Sequence, residues 1–390
     1  MELTRIIHPV GQGGFYTETL KNNNGDEFNV VYDCGGNNKT FMENYLERFI
    51  YDSANRRKKK IDAVFISHLH ADHTNGLKYL LDKVYPRYLF LPQLTEDMVF
   101  EVLFHNTLSG RTNVQEINGL ITDLYGQNRD NYVATRIVRV NPIDGESSVD
   151  LEGDNNSIDL SAEGISDSVI RSGSKIHFGT PWFYIPYNPP VKPRKAVSFY
   201  DFIKTELNIS YDFGYSDLPN IVKNIPTKTL RQIYASYFDS NHNAYSMTLF
   251  SGLMKPHYYL FECYSGCPFQ WHCNCRNYFD CSCCDCRRTC TPNCIYTGDF
   301  EAKEYTSNLK EFYKPLWETL SYFQVPHHGS RNNYHPELYD SPIGGFISVG
   351  EKNKYRHPNI DTLINIHQQG CCPLVVTENP STILVQHFYI

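Results

Sequence analysis

The sequence lacks long hydrophobic runs. Its first residues, Met1 to Pro9, contain no apolar stretch of the signal-peptide kind. No later segment approaches the roughly 18 consecutive apolar residues that span a bilayer. We therefore expect a cytoplasmic protein that has no membrane partner.

An excess of positive charge is also absent. The 36 Lys and Arg residues are outnumbered by 43 Asp and Glu residues, which gives a formal net charge of -7. No protein-wide basic field is therefore available to hold nucleic acid. One basic block, Arg56 to Lys60, fits either a local binding patch or a solvated loop. The composition, 41% hydrophobic and 20% charged, is typical of a folded globular chain.

Cysteine is scarce outside one segment. Ten of the 13 cysteines lie between Cys263 and Cys294, and the others are Cys34, Cys371 and Cys372. Without a secretory signal, such a cluster indicates metal binding rather than a disulfide framework. Disulfides and an iron–sulfur cluster are the alternatives, although the familiar iron–sulfur spacings are missing.

The cysteine cluster predicts structural zinc. Four thiolates hold one zinc ion tetrahedrally, so ten could hold two ions with two thiolates left over. The segment has few aliphatic residues, so bound metal would supply the folding free energy that a small apolar core cannot. The insertion could also contact a protein partner. The predicted structural zinc ligands are Cys263, Cys267, Cys273, Cys275, Cys281, Cys283, Cys284, Cys286, Cys290 and Cys294.

Strand and helix patterns alternate over residues 1–100 and again after residue 246. The predicted strands are 28–32, 63–66, 88–91, 246–250, 258–261, 295–299, 346–349 and 383–385, with a further strand that ends at 324–326. The predicted helices are 41–49, 77–84, 198–207, 230–238 and 360–367. The acidic stretch 144–167 reads as a surface loop or linker.

Four metal-ligating side chains fall within six residues. His68, His70, Asp72 and His73 follow the predicted strand 63–66, so they lie on a loop at a strand's C-terminal end, where open α/β sheets carry their chemistry. Imidazole nitrogen and carboxylate oxygen suit zinc or a similar divalent metal. Alternate loop residues can point the same way, so the first two can share one ion and the last two can face a second.

This His-x-His-x-Asp-His pattern resembles the signature of the metallo-β-lactamase superfamily. The resemblance implies further site residues in chain order. Asp33 would orient the ligand loop from behind. His242 would be the third histidine of the first metal site, and Asp299 would bridge two metals. His327 or His328 matches the last ligand; we favour His328, with His327 nearby or on the substrate.

The same resemblance implies the fold. We expect an α/β protein, an αββα sandwich of the metallo-β-lactamase fold, that carries a helical or irregular insertion and a Cys-rich zinc-binding insertion. Its first half would be residues 1–100, and its second half would be 239–262 together with 295–390. Residues 101–238 would form an insertion or cap, and 263–294 the Cys-rich metal-binding insertion.

Several short motifs look like one branch of that superfamily, the ComEC-type hydrolase domains that are attached to a bacterial DNA-uptake channel, and their soluble relatives. These motifs are Val10–Gly13, Tyr32–Gly36, Val325–Ser330, and Ile347–Gly350 with Asn353, Tyr355, His357 and Pro358. Members of the branch are generally taken to be nucleases or phosphodiesterases. This chain has no channel, so a transport role does not carry over.

The resemblance predicts a phosphodiesterase or nuclease in which a hydroxide bound by two metals, Zn²⁺ or Mn²⁺, attacks the phosphate of a nucleic acid or another phosphodiester. Asp72 would orient the hydroxide, His357 would donate a proton or contact the phosphate, and His327 would lie against the substrate. Arg331 and Lys352 could add positive charge. The alternatives are a hydrolase of another small ester, a phosphocholine ester, lactone or thioester, and a non-catalytic zinc-binding interaction protein.

Overall fold

A computed structural model shows how these segments assemble. It describes residues 1–36, 38–51, 58–108, 114–126, 132–144, 148–152, 156–162, 165, 168–190, 195, 197–238, 246–255 and 291–390, together with the backbone of 262–263.

The strands are β1 (Glu2–Ile7), β2 (Phe15–Lys21), β3 (Glu27–Cys34), β4 (Ala63–Phe65), β5 (Tyr88–Pro92), β6 (Arg136–Asn141), β7 (Ser157–Asp159), β8 (Val169–Arg171), β9 (Lys175–His177), β10 (Trp182–Tyr187), β11 (Thr248–Leu253), β12 (Glu262–Cys263), β13 (Cys294–Tyr296), β14 (Tyr322–Gln324), β15 (Gly344–Ser348), β16 (Cys372–Val376) and β17 (Leu384–Tyr389).

The α-helices are α1 (Lys39–Ile50), α2 (Ala71–Thr74), α3 (Leu77–Tyr79), α4 (Glu96–Leu108), α5 (Val114–Tyr125), α6 (Phe199–Glu206), α7 (Leu218–Val222), α8 (Thr227–Tyr237), α9 (Ala302–Phe312), α10 (Lys314–Trp317) and α11 (Ile360–Gln368). Leu80–Val84 continues α3 as a π-helical turn, and short 3₁₀ turns cover Pro326–Gly329, Arg331–Asn333, Pro336–Tyr339 and Pro380–Thr382. Among the helices of the described residues, none combines the length and the apolar character that crossing a bilayer requires.

Two mixed sheets contain these strands. Over the described residues the first sheet has the order β12-β17-β1-β2-β3-β4-β5-β6-β8, and the second has the order β16-β15-β14-β13-β11-β10-β9-β7. Neighbours from β3 to β8 in the first sheet pair in parallel, as do β13 to β16 in the second. In each sheet the parallel strands are therefore joined to an antiparallel meander.

The alternating directions of the side chains along each strand explain how the two sheets and the helices form layers. Successive side chains of a strand point to opposite faces of its sheet. In β3, Val31 packs in the cluster that contains helices α1 and α4, whereas Tyr32 packs between the sheets. In β11, Leu249 points between the sheets and Phe250 packs against α9 and α10. The result is a helix–sheet–sheet–helix sandwich, so the predicted α/β fold class is confirmed.

A buried polar network ties the two sheets together. Arg5 of β1 is fully buried, and its Nε donates to Oε1 of Glu18 at 2.7 Å. Glu18 also accepts from Tyr184 and Tyr296 hydroxyls at 2.9 and 2.8 Å, and from Ser251 Oγ at 2.6 Å. The last three residues belong to the second sheet. Because an unpaired buried charge costs several kcal/mol, this network favours one alignment of the sheets.

Most of the predicted elements are confirmed by the bounds given above. The predicted strand at 258–261 lies outside the described residues. The stretch 144–167, expected to be a loop or linker, contains the short strand β7. The segment 101–238 does not stand apart as an insertion, because β6 and β8 extend the first sheet while β7, β9 and β10 join the second. The boundary expected at residue 100 falls inside α4, which packs on the first sheet.

Candidate metal centre

The ligand loop is held at the end of β4 by backbone hydrogen bonds. The carbonyl of Ser67 accepts from the amide of Met247 at 2.8 Å, which ties the loop to the start of β11. The side chain of Asn106 on α4 donates to the carbonyl of Leu69 at 3.0 Å and accepts from the amide of Ala71 at 3.2 Å. These contacts pair the polar backbone groups of a buried loop and fix its path.

Asp33 lies behind the loop at the end of β3 and is fully buried. Its Oδ1 accepts from the amide of Ser67 at 2.7 Å, and its Oδ2 accepts from Ser67 Oγ at 2.8 Å and from Nδ1 of His73 at 2.7 Å. Its φ of 55° lies in the left-handed region, which aspartate tolerates better than most residues. Burial raises the pKa of Asp33, and the contacts with His73 and Ser67 offset part of that rise.

The first group of candidate ligands contains His68, His70 and Asp299. One ligand atom from each lies within 4.8 Å of the others, and all three side chains are buried. The Nε2 atom of His68 is 3.7 Å from Oδ2 of Asp299. The imidazole rings of His68 and His70 lie nearly perpendicular, with centroids 4.6 Å apart. Two imidazoles and a carboxylate are a donor set that zinc accepts.

The second group contains Asp72, His73 and His328, whose ligand atoms also lie within 4.8 Å of one another. Oδ1 of Asp299 is 3.3 Å from Nε2 of His73 and 3.5 Å from Nε2 of His328. The carboxylate of Asp299 therefore lies between the two groups. This position suits a ligand that is shared by two cations.

The ring nitrogens show that these groups fit a cation. Nδ1 of His328 donates to the carbonyl of Ser348 at 2.8 Å. Nδ1 of His68 lies 2.9 Å from Oγ of Ser67, whose own proton goes to Asp33. Nε2 of both histidines is then a lone-pair acceptor, and both atoms are buried with no hydrogen-bond partner. An unsatisfied buried polar atom costs about 1–3 kcal/mol, and a bound metal ion would remove that cost.

Burial keeps most of these imidazoles neutral. It lowers the pKa of His68 to about 3, with help from His73, and it lowers the pKa of His70 and of His328 as well. Burial also acts to lower the pKa of His73, but the carboxylates of Asp33 and Asp299 raise it well above its ordinary value. A cation bound there would take the place of that proton.

Asp299 stays ionised among these rings. Burial acts to raise its pKa, whereas His327, His328 and His73 together hold it well below its usual range. Its amide donates to Oγ of Ser246 at 3.1 Å, which fixes the backbone just before the carboxylate. A permanently charged carboxylate is what a bridging ligand requires.

The backbone of the loop that carries His327 and His328 points their side chains in different directions. Both residues have left-handed φ values, 50° and 56°, and Gly329 follows at 77°. Left-handed backbone is costly for residues other than glycine and often marks functional sites. The loop directs His328 into the second group, while His327 is half-buried beside it and pairs with Nδ2 of Asn333 at 2.9 Å.

His357 lies half-buried beside His327, with the centroids of their rings 5.8 Å apart. The side chain of Asn353 holds it by accepting from its amide at 2.8 Å and donating to its carbonyl at 2.7 Å. Burial, followed by His327, lowers the pKa of His357 to about 4. A ring that is neutral at pH 7 favours an N–H contact with a phosphate over a role as a strong proton donor.

The sequence interpretation missed His105 and Ser246. The ring of His105 stacks on that of His70, with centroids 4.0 Å apart and an interplanar angle of 26°. Tyr234 of α8 lies on its other side at 5.7 Å. One available signal was the polar pair His105-Asn106 within α4, a helix whose side chains are mostly buried and mostly apolar.

The remaining predicted ligands lie either outside the described residues or, among those described, away from these groups. His242 and the cysteines from Cys267 to Cys290 lie outside the described residues. The backbone of Cys263 pairs with β17 in β12. Cys294 lies in β13 with its side chain in the core between the sheets, and burial raises its pKa to about 12. This position does not favour Cys294 as a zinc ligand of the Cys-rich insertion.

Comparison with known proteins agrees with this geometry. The family model described as Metallo-beta-lactamase superfamily matches residues 23–87, a range that contains Asp33 and the ligand loop. A search of curated proteins found no match.

Two solved structures are similar to this chain. A BLEG-1 B3 metallo-beta-lactamase has 18% identity and a TM-score of 0.17, with 25% of this chain and 39% of that chain covered. A long form RNase Z from yeast has 11% identity and a TM-score of 0.32, with 96% of this chain and 37% of that chain covered. The chain thus spans less than two-fifths of either of these proteins.

The family match covers the segment in which β3, α1, β4 and α2 carry Asp33 and the ligand loop. Neither the match nor the solved structures distinguish the ComEC-type branch, which stays a prediction. The two-sheet sandwich and the buried ligand groups agree with the match of residues 23–87 to the metallo-beta-lactamase superfamily model.

Proposed function

We propose that this chain is a metal-dependent hydrolase that cleaves phosphodiesters. The observation that carries the proposal is the pair of adjoining ligand groups, His68 with His70 and Asp72 with His73, joined through Asp299. A single structural zinc would need only one such group, and its four ligands would leave no open position. Two adjacent groups are the arrangement of two-metal enzymes, which include phosphatases and nucleases.

Two metal ions bound at these ligand groups would activate water and stabilise negative charge. A pair of divalent cations lowers the pKa of water toward neutrality and offsets negative charge that develops on the substrate. The first group would hold one cation and the second group the other, with Asp299 shared between them.

Side chains of the protein would orient the attacking water and hold the ligand rings in place. Asp72 and Asp299 can accept hydrogen bonds from the attacking water and so direct its lone pair at the substrate. Asp33 and Ser348 hold the rings of His73 and His328 in a fixed orientation, at 2.7 and 2.8 Å. Groups that are already oriented do not have to reorganise during the reaction.

The rim of the site supports a phosphodiester in preference to an uncharged ester. His327 and His357 lie half-buried beside the second group and can present N–H donors. Arg331 and Lys352 add exposed positive charge nearby in the sequence. Donors and cations would stabilise the charged oxygens of a phosphate, whereas a lactone or thioester would gain less from them.

A substrate panel tests the proposal. The purified full chain, with Zn²⁺ or Mn²⁺, should cleave labelled DNA or RNA faster than chromogenic carboxylic esters, lactones or thioesters. A His68→Ala and Asp72→Ala double variant should lose that cleavage and keep its circular dichroism spectrum. His387→Ala, at an exposed position in β17, is the control and should retain activity. Unchanged turnover in the double variant would end the proposal.

A further inference from the structure

A row of four aromatic rings leads from the metal centre to the surface. The ring of His327 lies 6.2 Å from that of His328 and 5.8 Å from that of His357. The ring of Tyr355 lies a further 5.8 Å away, and it is nearly parallel to His357 with an interplanar angle of 16°. Exposure rises along this ring row, from the buried His328 to Tyr355, which is 60% exposed.

Tyr355 stands on a braced loop. Nδ2 of Asn353 donates to the carbonyls of Gly350 and His357, both at 2.7 Å, and its Oδ1 accepts from the amide of His357. The intervening Arg356 has a left-handed φ of 57°. A large apolar ring that is exposed on a braced loop loses little conformational entropy when a ligand covers it.

The loop also carries positive charge. Lys352, Lys354 and Arg356 are exposed on it, and Nζ of Lys354 lies 5.0 Å from the centre of the Tyr355 ring. The acidic group on the same stretch is Glu351, whose carboxylate accepts from Thr377 at 3.1 Å. Lysine and arginine beside an exposed aromatic ring form the combination that binds single-stranded nucleic acid, in which cations follow the phosphates and rings stack on bases.

We propose that Tyr355 is a base-stacking residue. It holds a nucleobase of a single-stranded nucleic acid while a phosphate of the same strand reaches the metal centre along the ring row. The inference rests on the proposed phosphodiesterase function and adds a determinant of substrate choice. Duplexes are excluded from this contact, because their base faces are already covered by neighbouring bases.

The test compares strands that have bases with strands that lack them. Oligodeoxythymidylate, oligouridylate and an abasic deoxyribose-phosphate strand of equal length serve as substrates for wild type, Tyr355→Ala and Tyr355→Phe. Tyr389→Ala is the matched control. Tyr389 is an exposed tyrosine of β17 that pairs with Glu2, the first residue of β1. The other end of β1 leads toward the ligand loop, so Tyr389 lies away from it.

We expect Tyr355→Ala to raise KM for the thymidine and uridine strands about tenfold, to leave kcat within twofold, and to leave KM for the abasic strand unchanged. Tyr355→Phe and Tyr389→Ala should match wild type. A second measurement does not depend on turnover. In the His68→Ala and Asp72→Ala background, fluorescence anisotropy should show the same tenfold loss of affinity for strands with bases alone.

The outcomes separate the two ideas. If wild type cleaves the strands and Tyr355→Ala leaves every KM unchanged, or raises it equally with and without bases, the stacking inference is wrong while the phosphodiesterase proposal stands. If wild type cleaves none of the strands, the phosphodiesterase proposal fails and the stacking inference fails with it.

Discussion

Nδ1 of His73 donates a hydrogen bond to Oδ2 of Asp33 over 2.7 Å, and both side chains are fully buried. The same carboxylate accepts from the amide and the hydroxyl of Ser67, so one aspartate fixes both ends of the ligand loop. The hydrogen bond directs Nε2 of His73 toward Asp299. Asp33 thus sets which ring nitrogen would face a bound metal ion.

Replacing Asp33 should weaken metal binding without removing a ligand. Asp33→Ala leaves the Nδ1 proton of His73 and the loop amide of Ser67 without an acceptor. We expect zinc affinity at the centre to fall about 10- to 100-fold. Competition with a chelator measures this loss. Asp26→Ala, in the exposed turn between β2 and β3, is the control, and an equal loss in that variant would argue against the assigned role of Asp33.

The stacking of the His105 ring on the His70 ring predicts that replacing His105 weakens zinc binding less than replacing Asp33 does. Removing the ring in His105→Ala should allow the His70 imidazole to rotate, and an aromatic pair contributes about 0.5–1.5 kcal/mol, so zinc affinity should fall roughly 2- to 10-fold. His105→Phe keeps a flat ring and should stay close to wild type. The same chelator competition applies. If the phenylalanine variant is as weak as the alanine variant, stacking is not what His105 contributes.

A close approach of backbones predicts that Gly35 cannot be replaced. A Cβ atom on Gly35 would lie 2.2 Å from the carbonyl oxygen of Asp72, so the ligand loop would have to move. We expect Gly35→Ala to lower the free energy of unfolding by about 1–3 kcal/mol and to weaken zinc binding. Gly119→Ala, in the exposed face of α5 where a Cβ meets nothing within 4 Å, should be neutral or slightly stabilising. Urea unfolding compares the two variants.

Buried His8 makes the stability of the protein depend on pH. Its ring stacks on Phe15 with centroids 4.1 Å apart, and burial, with a smaller effect of Lys59, lowers its pKa to about 3. Between pH 6.5 and 3 the unfolded chain binds a proton that the folded chain does not. The contribution of His8 is therefore complete above pH 6.5 and is lost as the pH falls below it.

Replacing His8 with phenylalanine measures the contribution of His8 to the pH dependence of stability. From pH 7 to pH 5 the wild type should lose about 2 kcal/mol more stability than His8→Phe, as measured by urea unfolding at both pH values. His387→Phe, at an exposed position, should behave like wild type. An identical pH dependence in wild type and His8→Phe would show that His8 is not held neutral.

The parts of this fold that could be predicted were those whose residue pattern lies within one short segment of the sequence. The ligand loop follows the buried run of β4 within a few residues, so its four side chains could be recognised from spacing alone. Asp299 and His328 lie more than two hundred residues away, and their convergence came from the resemblance, because spacing carries no information on which strands of a sandwich lie side by side.

Other features carried no such signal. β7 has three residues, too few for a period-two pattern to be recognised, and it lies in a stretch rich in acidic residues. His105 lies on a helix whose pattern indicates a buried face and does not reveal which loop that face meets. The choice between His327 and His328 required the left-handed turn at Pro326–Gly329, a backbone feature that two adjacent histidines do not encode.

The proposed function depends most on the two adjoining ligand groups, and the metal content of the protein tests them directly. Elemental analysis should find about two more zinc ions per chain in wild type than in a His68→Ala and His328→Ala double variant, which removes one ligand from each group. Any zinc bound by the cysteine cluster would be counted equally in both proteins and would cancel in the comparison. Equal zinc contents in two folded proteins would contradict the assignment of this centre.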